Sequence, residues 1–405
     1  MVEPPPELPR VFRPERALPT DVVRPTRAIV DLDHLRHNLH ILRLLEPKLP
    51  LWAVLKADAY GHGSKAVART LERAGIDGIC VALVEEGVEL REAGIKTPIL
   101  VMGGYYGDAY GELAHHELTV VLQDPGQLEA LALAVRRHGH SPFAAHLKVD
   151  TGMARLGARP HDWPAFVAAL VRNPEVRFQG LMSHLARADD EDEAALAAPL
   201  LAFERATALF AAAGQRPAVR HIENSAAFLR GAHFDLARPG IALFGISPFG
   251  GNLPKTLSQE ARGTLSRLRP VMSVVSRIVA LRDLEPGDPV GYGETFRAQR
   301  PTRVATVPMG YADGLSRALS NRGEMLVRGK RVPIVGTVSM DMTTLDVTDL
   351  PQATLNDDVV LMGGSEGPGK EQAPTAQELS QHARTIPWEI LTNISRRVPR
   401  FYRGS

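Results

Sequence analysis

Eight short apolar runs, most of them followed by a stretch of helical character, constrain the fold of this chain more than any other feature. They span residues 52–56, 78–83, 99–103, 118–122, 144–149, 178–183, 220–223 and 236–242. Short continuous apolar runs suit strands buried on both faces, as in a parallel sheet. Amphipathic segments separate most of them, at 65–74, 85–93, 126–138, 162–171, 191–213 and 225–230. The segment 191–213 is rich in Ala and Leu at helical spacing. Eight such units in about two hundred residues predict a TIM (β/α)8 barrel. A doubly wound sheet is the competitor. It carries a glycine-rich phosphate turn after its first strand, and here Lys56 stands in that place.

The texture changes past residue 260. Short β-branched runs at 270–281, 289–291, 302–308, 324–327, 330–335, 342–347 and 358–362 are separated by turn formers such as Pro286-Gly287 and Arg328-Gly329. This predicts an antiparallel, mostly-β C-terminal domain, with a late helix at 374–385. Residues 1–25 hold seven prolines and read as an extended segment. The expected division is therefore an extension at 1–25, the barrel at 26–260 and the β domain at 261–405. A first strand at 27–32 is a candidate to pair with the second domain.

Composition excludes several classes. A formal net charge of +1, without a large block of either sign, gives no reason to expect nucleic acid or an anionic membrane surface. The longest apolar runs are too short to cross a bilayer. No charged-then-apolar leader opens the chain, so a cytoplasmic location is expected. The single cysteine, Cys80, lies in an apolar run and reads as a core residue. No Cys/His cluster has metal-ligand spacing, so no metal is expected.

A barrel works at the C-terminal ends of its strands. Those ends carry Lys56 and Tyr60; Asp150 to Arg155; Ser183-His184; Glu223-Asn224-Ser225; and Arg238 to Ile241. A lysine leaving a buried strand is often only a solvated side chain, and Arg155 or His184 could equally be a surface or core residue. Together they make a pocket in which a partly desolvated lysine can form an imine. Loops after the last two strands commonly hold phosphate through backbone N–H groups, and Gly240 permits close approach. Lysine plus phosphate cup suggests pyridoxal phosphate. A sugar-phosphate aldolase is the rival on chemistry alone.

The motifs AVLKADAYGHG, KVDTGMARLG, SHLARADD, HIENSAA, ARPGIALFG, VGYGETF, PMGYADG and GTVSMD stand in the order seen in alanine racemases. The chain resembles that family over about residues 26–403. The resemblance implies a barrel plus β domain, a homodimer with shared active sites, and interconversion of L- and D-alanine for peptidoglycan. It implies that Lys56 holds the cofactor and is one base, and that Tyr292 of the partner subunit is the opposite base. Arg238 would face the pyridine nitrogen, with His184 bonded to it. Tyr60, Asn224, Ser225, Gly240 and Ile241 would surround the phosphate. Arg155 and the Met340 backbone would bind the substrate carboxylate. Lys148 matches a position often carbamylated, and Tyr311 and Asp313 would line an access channel. Two departures stand out: Trp388 where a phosphate-touching tyrosine is usual, and Ser339 for a common cysteine. Trp388 leaves a broader-specificity racemase, acting on serine or basic amino acids, as the alternative. A barrel decarboxylase and a non-catalytic cofactor carrier fit less well, the first because of Arg238 and the second because of Tyr292 and Met340.

Overall fold

The computed structural model describes residues 23–107, 109–139, 142–192, 194–232, 234–250, 252–363 and 371–404. Most of the proline-rich extension lies outside them. The N-terminal half runs β1 (Arg27–Asp31), α1 (Leu32–Leu45), β2 (Trp52–Val54), α2 (Lys56–Tyr60), α3 (Ser64–Arg73), β3 (Gly78–Val81), α4 (Val84–Glu92), β4 (Ile99–Val101), α5 (Tyr110–His115), β5 (Thr119–Leu122) and α6 (Pro125–His138). It continues with β6 (Phe143–Lys148), α7 (Trp163–Arg172), β7 (Val176–Met182), α8 (Ala194–Ala212), β8 (Val219–His221), α9 (Ser225–Leu229) and α10 (Gln259–Arg267).

Strands β2 to β8 pair in sequential order, all parallel, into one curled sheet. Their side chains point alternately into the barrel and toward the helices, and both sets are buried. The expected eighth strand at 236–242 does not form as a regular strand. Its first residues still close the ring. Trp52 N–H donates to Ala237 O at 2.8 Å and Val54 N–H to Pro239 O at 2.9 Å, while Arg238 N–H donates to Glu223 O at 3.1 Å. Pro239 has no N–H to continue the ladder, and Ile241–Phe244 turns into a 3-10 helix.

Several helices escape the sequence reading, among them α1, α5 and α10. Helix α1 is capped by Asp31, whose carboxylate accepts from His34 N–H at 2.9 Å, and it buries Leu35, Leu39 and Leu42. Helix α8 is the one described helix long and apolar enough to cross a membrane. It contains Pro199 and buries Leu196, Phe203, Ala206 and Phe210 between β7 and β8. It is thus a covering helix of the barrel.

The second half holds β9 (Met272–Arg277), β10 (Ala280–Leu284), β11 (Pro289–Val290), β12 (Phe296–Arg297), β13 (Thr302–Val307), β14 (Glu324–Val327), β15 (Lys330–Pro333), β16 (Thr343–Asp346) and β17 (Asp358–Met362). Helices α11 (Ala376–Ala383) and α12 (Pro387–Asn393) and strand β18 (Arg400–Arg403) complete it. A six-stranded sheet has the order β15-β14-β17-β9-β1-β18. Strand β1 pairs antiparallel with β9 and parallel with β18. The N-terminal strand is therefore built into the β domain, and one continuous core runs through barrel and sheet. Arg24, at the end of the extension, reaches the buried Asp313 at 2.7 Å.

Candidate active site

The chain leaves β2 into an unusual turn. Ala57, Asp58, Ala59 and Tyr60 all adopt left-handed backbone with φ near 54°. Each such non-glycine residue costs about 1–2 kcal/mol. Several contacts hold the turn in place. Ala59 N–H donates to Leu55 O, Gly61 N–H to Ala57 O and Gly63 N–H to Asp58 O, all at 2.8–2.9 Å. Glu86 at the start of α4 accepts from Ala57 N–H at 2.6 Å and from Ala82 and Leu83 N–H at 2.7 and 3.1 Å. Asp58 accepts from Ser64 N–H at 2.7 Å, and Arg400 donates to Gly61 O at 2.9 Å. The turn directs Lys56 into the barrel mouth, where its side chain stays accessible. The surrounding wall and the Arg155 guanidinium lower the Lys56 pKa, against an opposing pull from Glu86.

Lys56 belongs to a cluster of positive charge. Lys148, at the end of β6, is buried, and burial together with Arg155 and Arg238 brings its pKa down to about 8. His184 follows β7; burial and the same cations hold its pKa at about 3. Asp150 offsets part of this field and shapes the loop that carries Arg155. Its carboxylate accepts from Gly152, Met153 and Ala154 N–H at 2.9–3.2 Å. A mouth with two lysines and two arginines in mutual electrostatic reach is built for anionic groups.

Arg238 is almost fully buried. The sequence reading bonds it to His184; the structure corrects this to His221. One guanidinium nitrogen donates to His221 Nδ1, and the other donates to Ser183 O at 3.0 Å and Ile222 O at 3.2 Å. Because guanidinium only donates, His221 Nδ1 accepts and its Nε2 carries the proton. That proton goes to His146 Nδ1 at 2.8 Å. The sequence showed both histidines inside strand runs but not which faced Arg238.

Tyr60, Ser225, Gly240 and Ile241 meet at the ends of the last strands. Ser225 Oγ accepts from Gly240 N–H at 2.9 Å. A Cβ on Gly240 would stand 2.3 Å from the Tyr60 hydroxyl oxygen, so only glycine keeps this cradle open. Asn224 serves differently from the expectation. Its side-chain oxygen caps α9, accepting from Ala226 and Ala227 N–H at 3.1 and 3.0 Å. The cradle, the buried donor-only Arg238 and the accessible Lys56 fit a group with a phosphate, a ring nitrogen and an imine-forming carbon. Among the described residues, no group of three or more His, Cys, Asp or Glu is placed to hold a metal ion.

The β domain presents a second set. Tyr292 is 75% exposed, between Gly291 and Gly293, which both take left-handed backbone. Its carbonyl accepts from Thr337 Oγ1 at 2.8 Å. Met340 is 52% exposed, and its own carbonyl accepts from Ala312 N–H at 3.0 Å, next to the exposed Tyr311. Ser339 Oγ donates to Met342 O at 2.8 Å. Asp313 is corrected: it is fully buried and bonded to Arg24 and Gly310 N–H, so it does not face a channel. Trp388 is half-buried on α12, packed on the core. The same helix presses on the catalytic turn, for a Cβ at Gly61 would lie 2.4 Å from Leu391 O.

Comparison with known proteins places these residues in a family. Residues 30–248 match the alanine racemase N-terminal domain and residues 271–402 the alanine racemase C-terminal domain. An alanine racemase of Sorangium cellulosum is 53% identical over 389 residues, covering 94% of this chain and 100% of its own length. The alanine racemase of Streptomyces coelicolor superposes with a TM-score of 0.87 at 36% identity, over 95% of this chain and 100% of that one. The Bacillus anthracis enzyme, solved with bound L-Ala-P, gives 0.84 at 32% identity over 95% and 96%.

Proposed function

The chain belongs to the alanine racemase family, and from that premise we propose that it interconverts L- and D-alanine by two bases on opposite faces of the substrate. It is an isomerase. The broader-specificity alternative is not favoured, since the relatives compared are alanine racemases. The observation that carries the reading is the accessible Lys56 beside Arg155, with Arg238 buried behind it and the Gly240–Tyr60 cradle beside it.

Pyridoxal phosphate, held by Lys56, Tyr60, Ser225, Gly240 and Ile241, supplies the electron sink that makes the substrate α-proton acidic. His184 and Arg238 would flank its ring. Arg238 is a donor that is effectively always charged, so it would leave a ring nitrogen placed against it unprotonated. With such a partner the cofactor would draw electrons less strongly, which would favour return of the proton over side reactions. Arg155 and the Met340 N–H orient the substrate carboxylate. Trp388 and Tyr311 are assigned to the entrance. The Lys56 amine, its pKa lowered, exchanges the proton on one face.

The opposite face needs a second acid–base group, and Tyr292 is assigned to it. Tyr292, Tyr311, Met340 and Met342 are large and exposed, on segments hydrogen-bonded to one another. Such a surface marks an interface. A homodimer in which this face covers the partner's barrel mouth would bring Tyr292 to it. Lys148 is read as carbamylated, since an anion there would hold Arg155 by a charge-assisted bond. D-alanine for peptidoglycan is the expected use, in the cytoplasm.

Tyr292→Phe tests the reading. Solvent deuterium exchange at the α-carbon should fall at least ~100-fold from one enantiomer and much less from the other. Equal losses from both would remove Tyr292 as a base.

A further inference from the structure

Behind the catalytic turn, a cavity of about 160 Å³ lies between the barrel and the β domain. Its lining includes Phe244 and His62 from the barrel, Met272 and Met362 from the sheet, Gln377 of α11 and Leu391 of α12. The wall is mostly apolar, and two polar atoms on it are buried without a partner: His62 Nε2 and Gln377 Oε1. His62 is fully buried. Its Nδ1 faces two carbonyl oxygens, Ala59 O at 2.9 Å and Tyr60 O at 3.0 Å. Carbonyls only accept, so Nδ1 carries the proton and Nε2 is a lone pair. Gln377 Oε1 is likewise an acceptor. Leaving a buried acceptor unmet is costly, and this cavity has two.

The geometry points to a second binding site, for a neutral, roughly benzene-sized molecule with an apolar body and at least one O–H or N–H donor. A cavity of about 150 Å³ lined by apolar side chains takes benzene, and the unmet acceptors here add a demand for a donor. The racemase reading neither requires nor assigns this site. The site adjoins the catalytic turn. Phe244 stacks on His62 at 4.3 Å and packs on the Tyr60 ring at 5.1 Å, and it ends the helical turn that begins at Ile241. An occupant touching His62 and Phe244 therefore bears on Tyr60 and on the phosphate cradle. Its affinity and that of the cofactor are coupled, by the same factor in each direction.

Phenol is the probe and benzene its donorless control, titrated into the holoenzyme and followed by saturation-transfer NMR. Phenol should bind saturably and about fivefold more tightly than benzene, the worth of one hydrogen bond. Gln377→Leu should narrow that preference, and Ala376→Leu, which adds bulk at the cavity wall, should abolish binding of both. Equal affinities for phenol and benzene, or phenol binding untouched by both variants, would overturn the site. Ordered water filling the cavity in phenol-soaked crystals would do the same. The coupling is read separately: saturating phenol should change the cofactor dissociation constant at least twofold, and an unchanged constant would overturn the coupling. Neither failure touches Lys56 or Tyr292, so the racemase reading stands or falls on its own exchange experiment.

Discussion

Gly180 on β7 has no side chain because His146 fills the space. A Cβ there would stand 2.5 Å from His146 Nδ1, the atom that bonds His221. Gly180→Ala should displace the His146 ring, free His221 to turn, and loosen Arg238. Losing one hydrogen bond behind a charged group predicts about a tenfold weaker grip on pyridoxal phosphate, read by absorbance titration with the fold checked by circular dichroism. Buried neutral histidines also set an acid limit. His62 is held at about 4, His146 and His184 at about 3, each by burial and, for His146 and His184, by Arg238 as well. Below 6.5 the unfolded chain takes up protons that these rings refuse in the folded state, so stability is full above 6.5 and falls as pH drops toward 4. Urea midpoints should decline between pH 7 and 5; a flat profile there would contradict the burial. At this scale the convergence of Lys56, Tyr60 and Arg238 was legible because the first two follow a buried strand and Arg238 lies in the run that closes the ring. The choice of His221 over His184 was not, since it depends on which side chains of neighbouring strands share the barrel interior.

The left-handed turn Lys56–Tyr60 is the element on which the site depends. Glu86 ties it to α4 through three backbone N–H groups. Glu86→Ala leaves those donors without their acceptor and lets the turn relax toward right-handed backbone. Activity should fall about tenfold or more, with a Lys56 that reacts more slowly with the cofactor and a far-ultraviolet spectrum that is unchanged. Full activity would show that the turn holds itself. The turn was invisible in the sequence, because Ala57, Asp58 and Ala59 have no intrinsic preference for this backbone and only the surrounding contacts enforce it. Helix α1 was legible and overlooked: Leu35, Leu39 and Leu42 recur at helical spacing after the capping Asp31. The broken eighth strand was half legible. Pro239-Gly240 announced an interruption, while closure of the ring through Ala237 depends on the neighbouring strands.

For the whole molecule, the proposed sharing of a site between subunits makes a clear demand. Lys56→Ala and Tyr292→Phe should each be nearly inactive alone. Mixed and allowed to exchange subunits, half the dimers carry both variants, and each of those has one intact site. About a quarter of full activity should return. No recovery would mean that the two residues do not come from different subunits. The two-domain plan was legible from the change of texture near residue 260. The seam between the domains was less so, because it is written in residues far apart along the chain. Thr26 and Ser276 bond across 250 residues, and Asp31 and Arg403 across 372. Strand β1 lies between β9 and β18, which has a consequence for biosynthesis. A ribosome delivers β1 long before β18, since Asp31 and its partner Arg403 lie 372 residues apart. Until then the emerging polypeptide carries an open strand edge, a place where foreign chains can attach. The sheet is sealed only once β18 arrives, and the burden of keeping that edge clean falls on chaperones and on speed.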